Sequence, residues 1–278
     1  MKKTFILGGL MLSMLTVNAQ ELPKPSPLAT VTQMVGLNNI KLEYSRPSVK
    51  GRKVFGDLVP FEKVWRLGAN APTKLTTDKP MNFDGKELKP GTYAVFAIPT
   101  KEEWKVVINS DTEQWGAGNY DEKKNVIAVG VKPQETDFTE TLSITIQDIS
   151  STSGKLVIAW DKTKVEVPFT VNTSKEAKEN IEKAIKEGKD LEKVYANAGS
   201  YYWNAENDYK TALKYADKSI EVKPYHGNLF LKARILADLG KKDEAIQVGK
   251  RALKLAIKAE NKGYESFISE TLEKWESK

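Results

Sequence analysis

The sequence predicts an α+β protein of two domains, an antiparallel β-sandwich followed by an all-α helical module, and three observations carry that expectation. From Thr30 to Thr170 apolar residues recur with a period of two. At Thr173 the period shifts abruptly to 3.6, and within the helical half a stretch of sequence repeats after 33 residues. A period of two is that of a half-buried strand, and 3.6 that of a helix packed on one face. A chain of 278 residues with 40% hydrophobic content is long enough to bury two cores. The expected divisions are residues 1–19, 20–172 and 173–278.

Residues 1–19 read as a signal peptide. Lys2 and Lys3 precede an apolar run from Phe5 to Leu15, and Val17-Asn18-Ala19 offers small residues for cleavage before Gln20. The run is well short of the ~20 apolar residues that a spanning helix needs. Cleavage between Ala19 and Gln20 would leave a periplasmic or secreted chain with no integral membrane segment. With no Cys, the mature chain has neither a site for a lipid-modified cysteine nor disulfides.

Residues 20–172 hold the strands. Ile40, Leu42 and Tyr44 alternate with polar neighbours, as do Leu142, Ile144 and Ile146, and Val165, Val167 and Phe169. Further β-rich runs lie at Thr92 to Ile98, Trp104 to Ile108, Val126 to Val131 and Leu156 to Trp160. Asp84-Gly85, Pro90-Gly91 and Ser153-Gly154 supply turns. Short strands with frequent turns and no helical pattern between them predict a sandwich of about nine strands.

Residues 173–278 are helical throughout. Thr173 and Glu176 have the spacing of a capping box. Stripes follow at Ile181, Ala184, Ile185, then at Leu191, Val194, Tyr195, Ala198, Tyr202, and finally at Tyr264, Phe267, Ile268, Leu272, Trp275. The stretch from Asn207 to Ala212 aligns with Gly240 to Ala245, and Ser219 with Ala252. Small residues at Ala212, Ala216, Ala245, Gly249 and Ala252 allow close helix approach, a pattern similar to the tetratricopeptide repeat. Asn207 stands where that family usually turns on Gly, and Pro224 has no counterpart after Ala252. Two degenerate repeats with an extra helix at each end seldom hold a core alone, so this module is expected to dock on the sandwich or on a protein partner.

Function is expected in one segment. Of five arginines, Arg46, Arg52 and Arg66 fall between Tyr44 and Asn70, in a chain that otherwise places its positive charge on Lys. A planar five-donor fork is an advantage where it meets a carboxylate, phosphate or carbonyls in fixed geometry. The segment also carries Trp65 and Asn70, with Gly and Pro marking a structured loop. Trp104 and Trp160 fit strand patterns and are expected in the core, whereas Trp65 and Trp115 sit in Gly-rich sequence and are candidates for a surface platform. The expected ligand-binding set is Arg46, Arg52, Arg66, Asn70, Trp65 and Trp115, for a saccharide or anionic small ligand. The competing reading has the three arginines bracing the loop on Asp57, Glu62 or backbone carbonyls. A division of roles is expected, with Arg52 and Arg66 structural and Arg46, at a strand end before Pro47, the ligand contact.

Ser45-Arg46-Pro47, Lys50-Gly51-Arg52, Phe55-Gly56, Leu58-Val59-Pro60, Val64-Trp65-Arg66, Gly68-Ala69-Asn70, Pro90 to Tyr93, Ile98-Pro99, Trp104, Asn109, Gln114-Trp115-Gly116 and Tyr120-Asp121 together resemble the domain of unknown function 2911 family of secreted bacterial proteins. The resemblance covers about Tyr44 to Phe169 and attaches no activity. Leu67 stands where Thr is commoner, and Ala128 where the family often carries Arg.

Composition excludes several chemistries. A single histidine, His226, in the helical half leaves no multi-histidine metal site and no triad beside the arginines. No metal and no cofactor are expected. The net charge of +6 is spread evenly, so nucleic acid is not an expected partner. The resulting reading is an exported, non-catalytic binding or interaction protein, with an Arg/Trp-lined loop site on a sandwich and a helical protein-contact module. The alternative is a carboxylate-dependent hydrolase acting on saccharides, with Glu102-Glu103 or Asp121-Glu122 as its acid/base pair.

Overall fold

The computed structural model describes residues 22–277, so the signal peptide expected at 1–19 lies outside the described residues. Ten antiparallel strands precede six helices: β1 Leu28–Val35, β2 Asn38–Ser45, β3 Ala69–Thr77, β4 Met81–Phe83, β5 Lys86–Leu88, β6 Gly91–Pro99, β7 Trp104–Asn109, β8 Asn125–Val131, β9 Gln134–Gln147 and β10 Ser153–Val171. One sheet has the order β1-β2-β3-β6-β7-β8 and the other β5-β4-β10-β9. The alternation seen in sequence fills the space between them, because Ile40, Leu42, Leu142, Ile144, Val165, Val167 and Phe169 all enter one buried cluster.

Two details differ from the sequence reading. The runs at Leu156–Trp160 and Val165–Phe169 belong to one 19-residue strand, β10, whose pairing with β9 shifts register on both sides of Asp161. Asp161 has φ 56°, so a bulge rather than a turn separates the two runs. Ser153-Gly154 opens this strand instead of forming the turn before it.

The helices are α1 Thr173–Glu187, α2 Leu191–Asn204, α3 Tyr209–Val222, α4 His226–Asp238, α5 Lys242–Lys258 and α6 Lys262–Glu276. None of them is long and apolar enough to cross a membrane. α3 and α5 begin 33 residues apart, and the aligned positions Ala212 and Ala245, Ser219 and Ala252 are fully buried. A Cβ at Gly199 of α2 would stand 3.1 Å from the Ala212 carbonyl of α3, so this helix pair packs at a distance that a larger residue would widen.

The cap of α1 also differs. Asn172, not Thr173, accepts from the Lys175 N–H, because the Thr173 hydroxyl donates to the Ser151 carbonyl instead. Glu176 pairs with Lys79 at 2.9 Å. The first turn of α1 is thereby tied to the sandwich.

A second polar cluster ties α1 to α2. Glu206 accepts from the Tyr201 hydroxyl at 2.6 Å and from Lys178 of α1 at 3.0 Å. These bonds hold its carboxyl at about 2, and the Tyr201 hydroxyl, partly buried and bonded to that carboxylate, is pushed up to about 12. A depressed carboxylate stabilises the fold above its ordinary value of 4.5 and loses that contribution as pH falls through about 2. Glu206→Gln should therefore cost on the order of 1–3 kcal/mol at neutral pH. Melting curves of the two proteins should converge as the pH is lowered toward 2, and a constant gap would assign the effect to packing.

Candidate functional site

The connection from Arg46 to Gly68, between β2 and β3, closes one end of the sandwich by joining both sheets. Trp65 exchanges backbone hydrogen bonds with Ala97 of β6, at 2.7 and 2.8 Å. Near the other end of the connection Val49 N–H donates to the Glu140 carbonyl, Leu142 N–H donates to the Pro47 carbonyl, and Ser48 bridges Thr141 of β9. Between these anchorages lies a recess of about 320 Å³, lined by Pro25, Ser26, Pro47, Ser48, Lys50, Arg52, Leu58, Val59, Trp65, Arg66, Gly68, Ala69 and Trp160.

The floor is rigid and aromatic. Trp65 stacks on Trp160 with ring centroids 5.8 Å apart and 18° between planes, and packs edge-on against Trp104 at 6.0 Å. Phe55 closes the cluster at 4.8 Å from Trp104. Trp104 and Trp160 are 2% exposed, as their strand positions predict, and Trp65 is only 8% exposed. Trp65 therefore gives little surface to the recess it lines.

The backbone behind Arg66 is held in an uncommon shape. Leu67 has φ 54°, a left-handed conformation that costs a bulky residue about 1–2 kcal/mol. Three bonds fix it: Thr73 hydroxyl to the Leu67 carbonyl at 2.6 Å, Thr73 N–H to the Arg66 carbonyl at 3.1 Å, and Trp65 Nε1–H to the Gly68 carbonyl at 3.2 Å. A Cβ on Gly68 would stand 2.9 Å from the Ser45 carbonyl, so a side chain there would force the segment off β2. These bonds over-determine a conformation that the chain would otherwise avoid, at the residue that follows Arg66.

The structure separates the six residues expected at the site. Arg52, Arg66 and Trp65 line the recess. Arg46 lies outside the lining, its Nε–H donating to the Leu142 carbonyl of β9 at 2.9 Å. Asn70 is exposed, takes a left-handed φ of 60°, and donates to the Ser45 hydroxyl. Trp115 is 73% exposed on the segment between β7 and β8, also outside the lining. That segment does reach Arg66, because the Cβ position of Gly116 would fall 3.7 Å from an Arg66 terminal nitrogen. Lys50 and Ser26 enter the recess from positions whose composition gives no signal.

The two lining arginines differ. Arg52 donates from Nε to the Val49 carbonyl at 3.0 Å and from a terminal nitrogen to the Ser48 carbonyl at 2.6 Å, so the loop curls around it. Arg66 Nε is buried with no hydrogen-bond partner. Among the described residues every ion pair is made by a lysine, so Asp57 and Glu62 brace none of the arginines. Lys50, Arg52 and Arg66 all line the recess and no carboxylate does, although a terminal nitrogen of Arg66 also reaches the Gly116 segment beside it.

The candidate acids sit elsewhere. Glu102, with Glu62, lines a separate shallow pocket beside Phe61, Thr100 and Lys101, and both carboxylates are exposed. Asp121 caps a short 3-10 turn, Glu122–Lys124, by accepting from Lys123 N–H. Among the described residues no group of His, Cys, Asp and Glu is arranged to hold a metal ion.

A family model described as a protein of unknown function, DUF2911, matches residues 26–169, the span that contains both sheets up to the last two residues of β10 and the whole recess apart from Pro25. No curated protein and no solved structure matches the chain.

Proposed function

This chain belongs to the DUF2911 family of proteins of unknown function, and from the recess we propose a non-catalytic binding protein that recognises an anionic small ligand through Arg52, Arg66 and Lys50. The observation that carries this reading is three cations lining one cavity without a carboxylate. Like charges gathered around one recess repel one another, and a bound anion turns that repulsion into attraction. A guanidinium fork suits the oxygens of a carboxylate or phosphate. The hydroxyls of Ser26 and Ser48 apart, the lining side chains offer no oxygen acceptor, which favours an anion over a neutral sugar. A glycosidase needs two carboxyls flanking its substrate, and none lines this recess, which disfavours the hydrolase alternative.

Export with cleavage between Ala19 and Gln20, a domain boundary at residues 172–173 and protein contact through tetratricopeptide-like helices belong to the same proposal. They rest on the signal-like N-terminus, the change of period and the 33-residue repeat.

The test is a melting-temperature titration with inorganic phosphate and with citrate, against sodium chloride of equal ionic strength and against a neutral disaccharide. Ligand at about a hundred times its dissociation constant adds about 2.7 kcal/mol to stability. Both anions should raise the melting temperature beyond the chloride control, and Arg52→Gln/Arg66→Gln should abolish the difference. A response to the disaccharide with none to either anion would overturn the anion reading.

A further inference from the structure

The outer edge of the six-stranded sheet is strand β1, which pairs with β2 on one side and, among the described residues, with no strand on the other. Its eight residues, Leu-Ala-Thr-Val-Thr-Gln-Met-Val, contain no charge and no proline. A free edge presents unpaired N–H and C=O groups, and proteins ordinarily blunt such edges with lysine, proline, a bulge or a very short strand. β1 has none of these devices, since its register with β2 runs from Leu28↔Ser45 to Val35↔Asn38 without a shift.

We propose that β1 is a self-association edge that pairs antiparallel with β1 of a second copy of this chain. The strand is its own complement when a two-fold axis passes through Val31. Leu28 then faces Met34 of the other copy, Thr30 faces Thr32, and Ala29 faces Gln33. Leu28, Thr30, Thr32 and Met34 share the exposed face of the sheet, where Leu28 is 67% and Met34 55% exposed. In this register each of the two large apolar side chains left to solvent covers the other, and the threonines form cross-strand pairs between them. An isologous contact of this kind closes at two copies, joining two six-stranded sheets into one continuous sheet.

Chemistry selects a second copy over another occupant. The edge offers a partner backbone hydrogen bonds and no charge to recognise, and the same strand in another copy sets the exposed Leu28 against Met34 and the threonines against each other, which a charged segment could not do. The proposal is independent of what the recess binds.

The mature chain should sediment as a concentration-dependent dimer, and Thr30→Lys/Thr32→Lys, which sets lysines opposite one another across the axis, should weaken dimerisation at least tenfold while the far-ultraviolet spectrum is kept. Register is read in the Leu28→Cys/Met34→Cys variant, in a chain that otherwise has no cysteine. Six residues of strand separate these positions by roughly 20 Å, so a short bis-maleimide can join them only between copies. Covalent dimer from the double variant, and little from Leu28→Cys or Met34→Cys alone, is the expected result. A wild-type chain that stays monomeric at its highest soluble concentration, a dimer indifferent to the lysine pair, or equal cross-linking by the single variants would each overturn the proposal.

Discussion

Trp65→Ala should destabilise the sandwich by about 3–5 kcal/mol, the cost of emptying a buried aromatic site that neighbours fill only in part. The ring stacks on Trp160, meets Trp104 and Phe55 edge-on, and donates its Nε1–H to the Gly68 carbonyl. Its removal therefore opens a cavity between the two sheets and releases one of the three bonds that hold Leu67 in its left-handed conformation. Trp115→Ala is the matched control, because a ring 73% exposed contributes within about 0.5 kcal/mol. Urea unfolding of both variants decides the matter. Near-equal stabilities would mean that Trp65 is a ligand platform and not a structural element. A large loss at Trp65 with none at Trp115 would assign the two tryptophans, alike in their Gly-rich sequence context, to different roles.

That likeness marks the limit of what the chain reveals before it is folded. Long alternating runs such as Ile40, Leu42, Tyr44 are legible because one face of the strand is buried along its whole length. β4 and β5, three residues each, show no period to count. β3 is obscured by Pro72 and a run of threonines, although Thr73 and Thr77 are as buried as its Leu75. The segment holding the recess is legible from its choice of Arg over Lys, which reflects fork geometry rather than charge. Which arginines face the recess is not legible, since that follows from the pairing of Ser48 with Thr141, 93 positions away, and of Trp65 with Ala97. Asn70 is conspicuous in sequence for a backbone reason, as Asn tolerates the left-handed conformation it adopts. The same holds for the cap of α1, where Thr173 has the capping spacing but is drawn away by Ser151, a partner no local pattern contains.

A scan of the three arginines should reverse the division of roles that their sequence positions suggest. Arg46→Lys keeps the charge but loses the fork that reaches the Leu142 carbonyl, and this bond ties the connection to β9. About 1 kcal/mol of stability should go with it, leaving anion binding unchanged. Arg66→Gln should do the opposite. Its Nε is a buried donor without a partner, a state that costs about 1–3 kcal/mol, so its removal should leave stability level or raised. Affinity for phosphate should nevertheless fall at least tenfold, because a hydrogen bond from a charged guanidinium to an oxyanion contributes about 1.5–3 kcal/mol. Arg52→Gln should lose both, since this side chain holds the Val49 and Ser48 carbonyls and lines the recess with what remains of its fork. The three variants, each read by melting temperature and by phosphate titration, thus fall in three different corners of one plot. If all three lose stability and none loses affinity, the arginines brace the loop and the recess binds no anion. If Arg46→Lys alone loses affinity, the ligand lies outside the recess, where the connection after β2 meets β9.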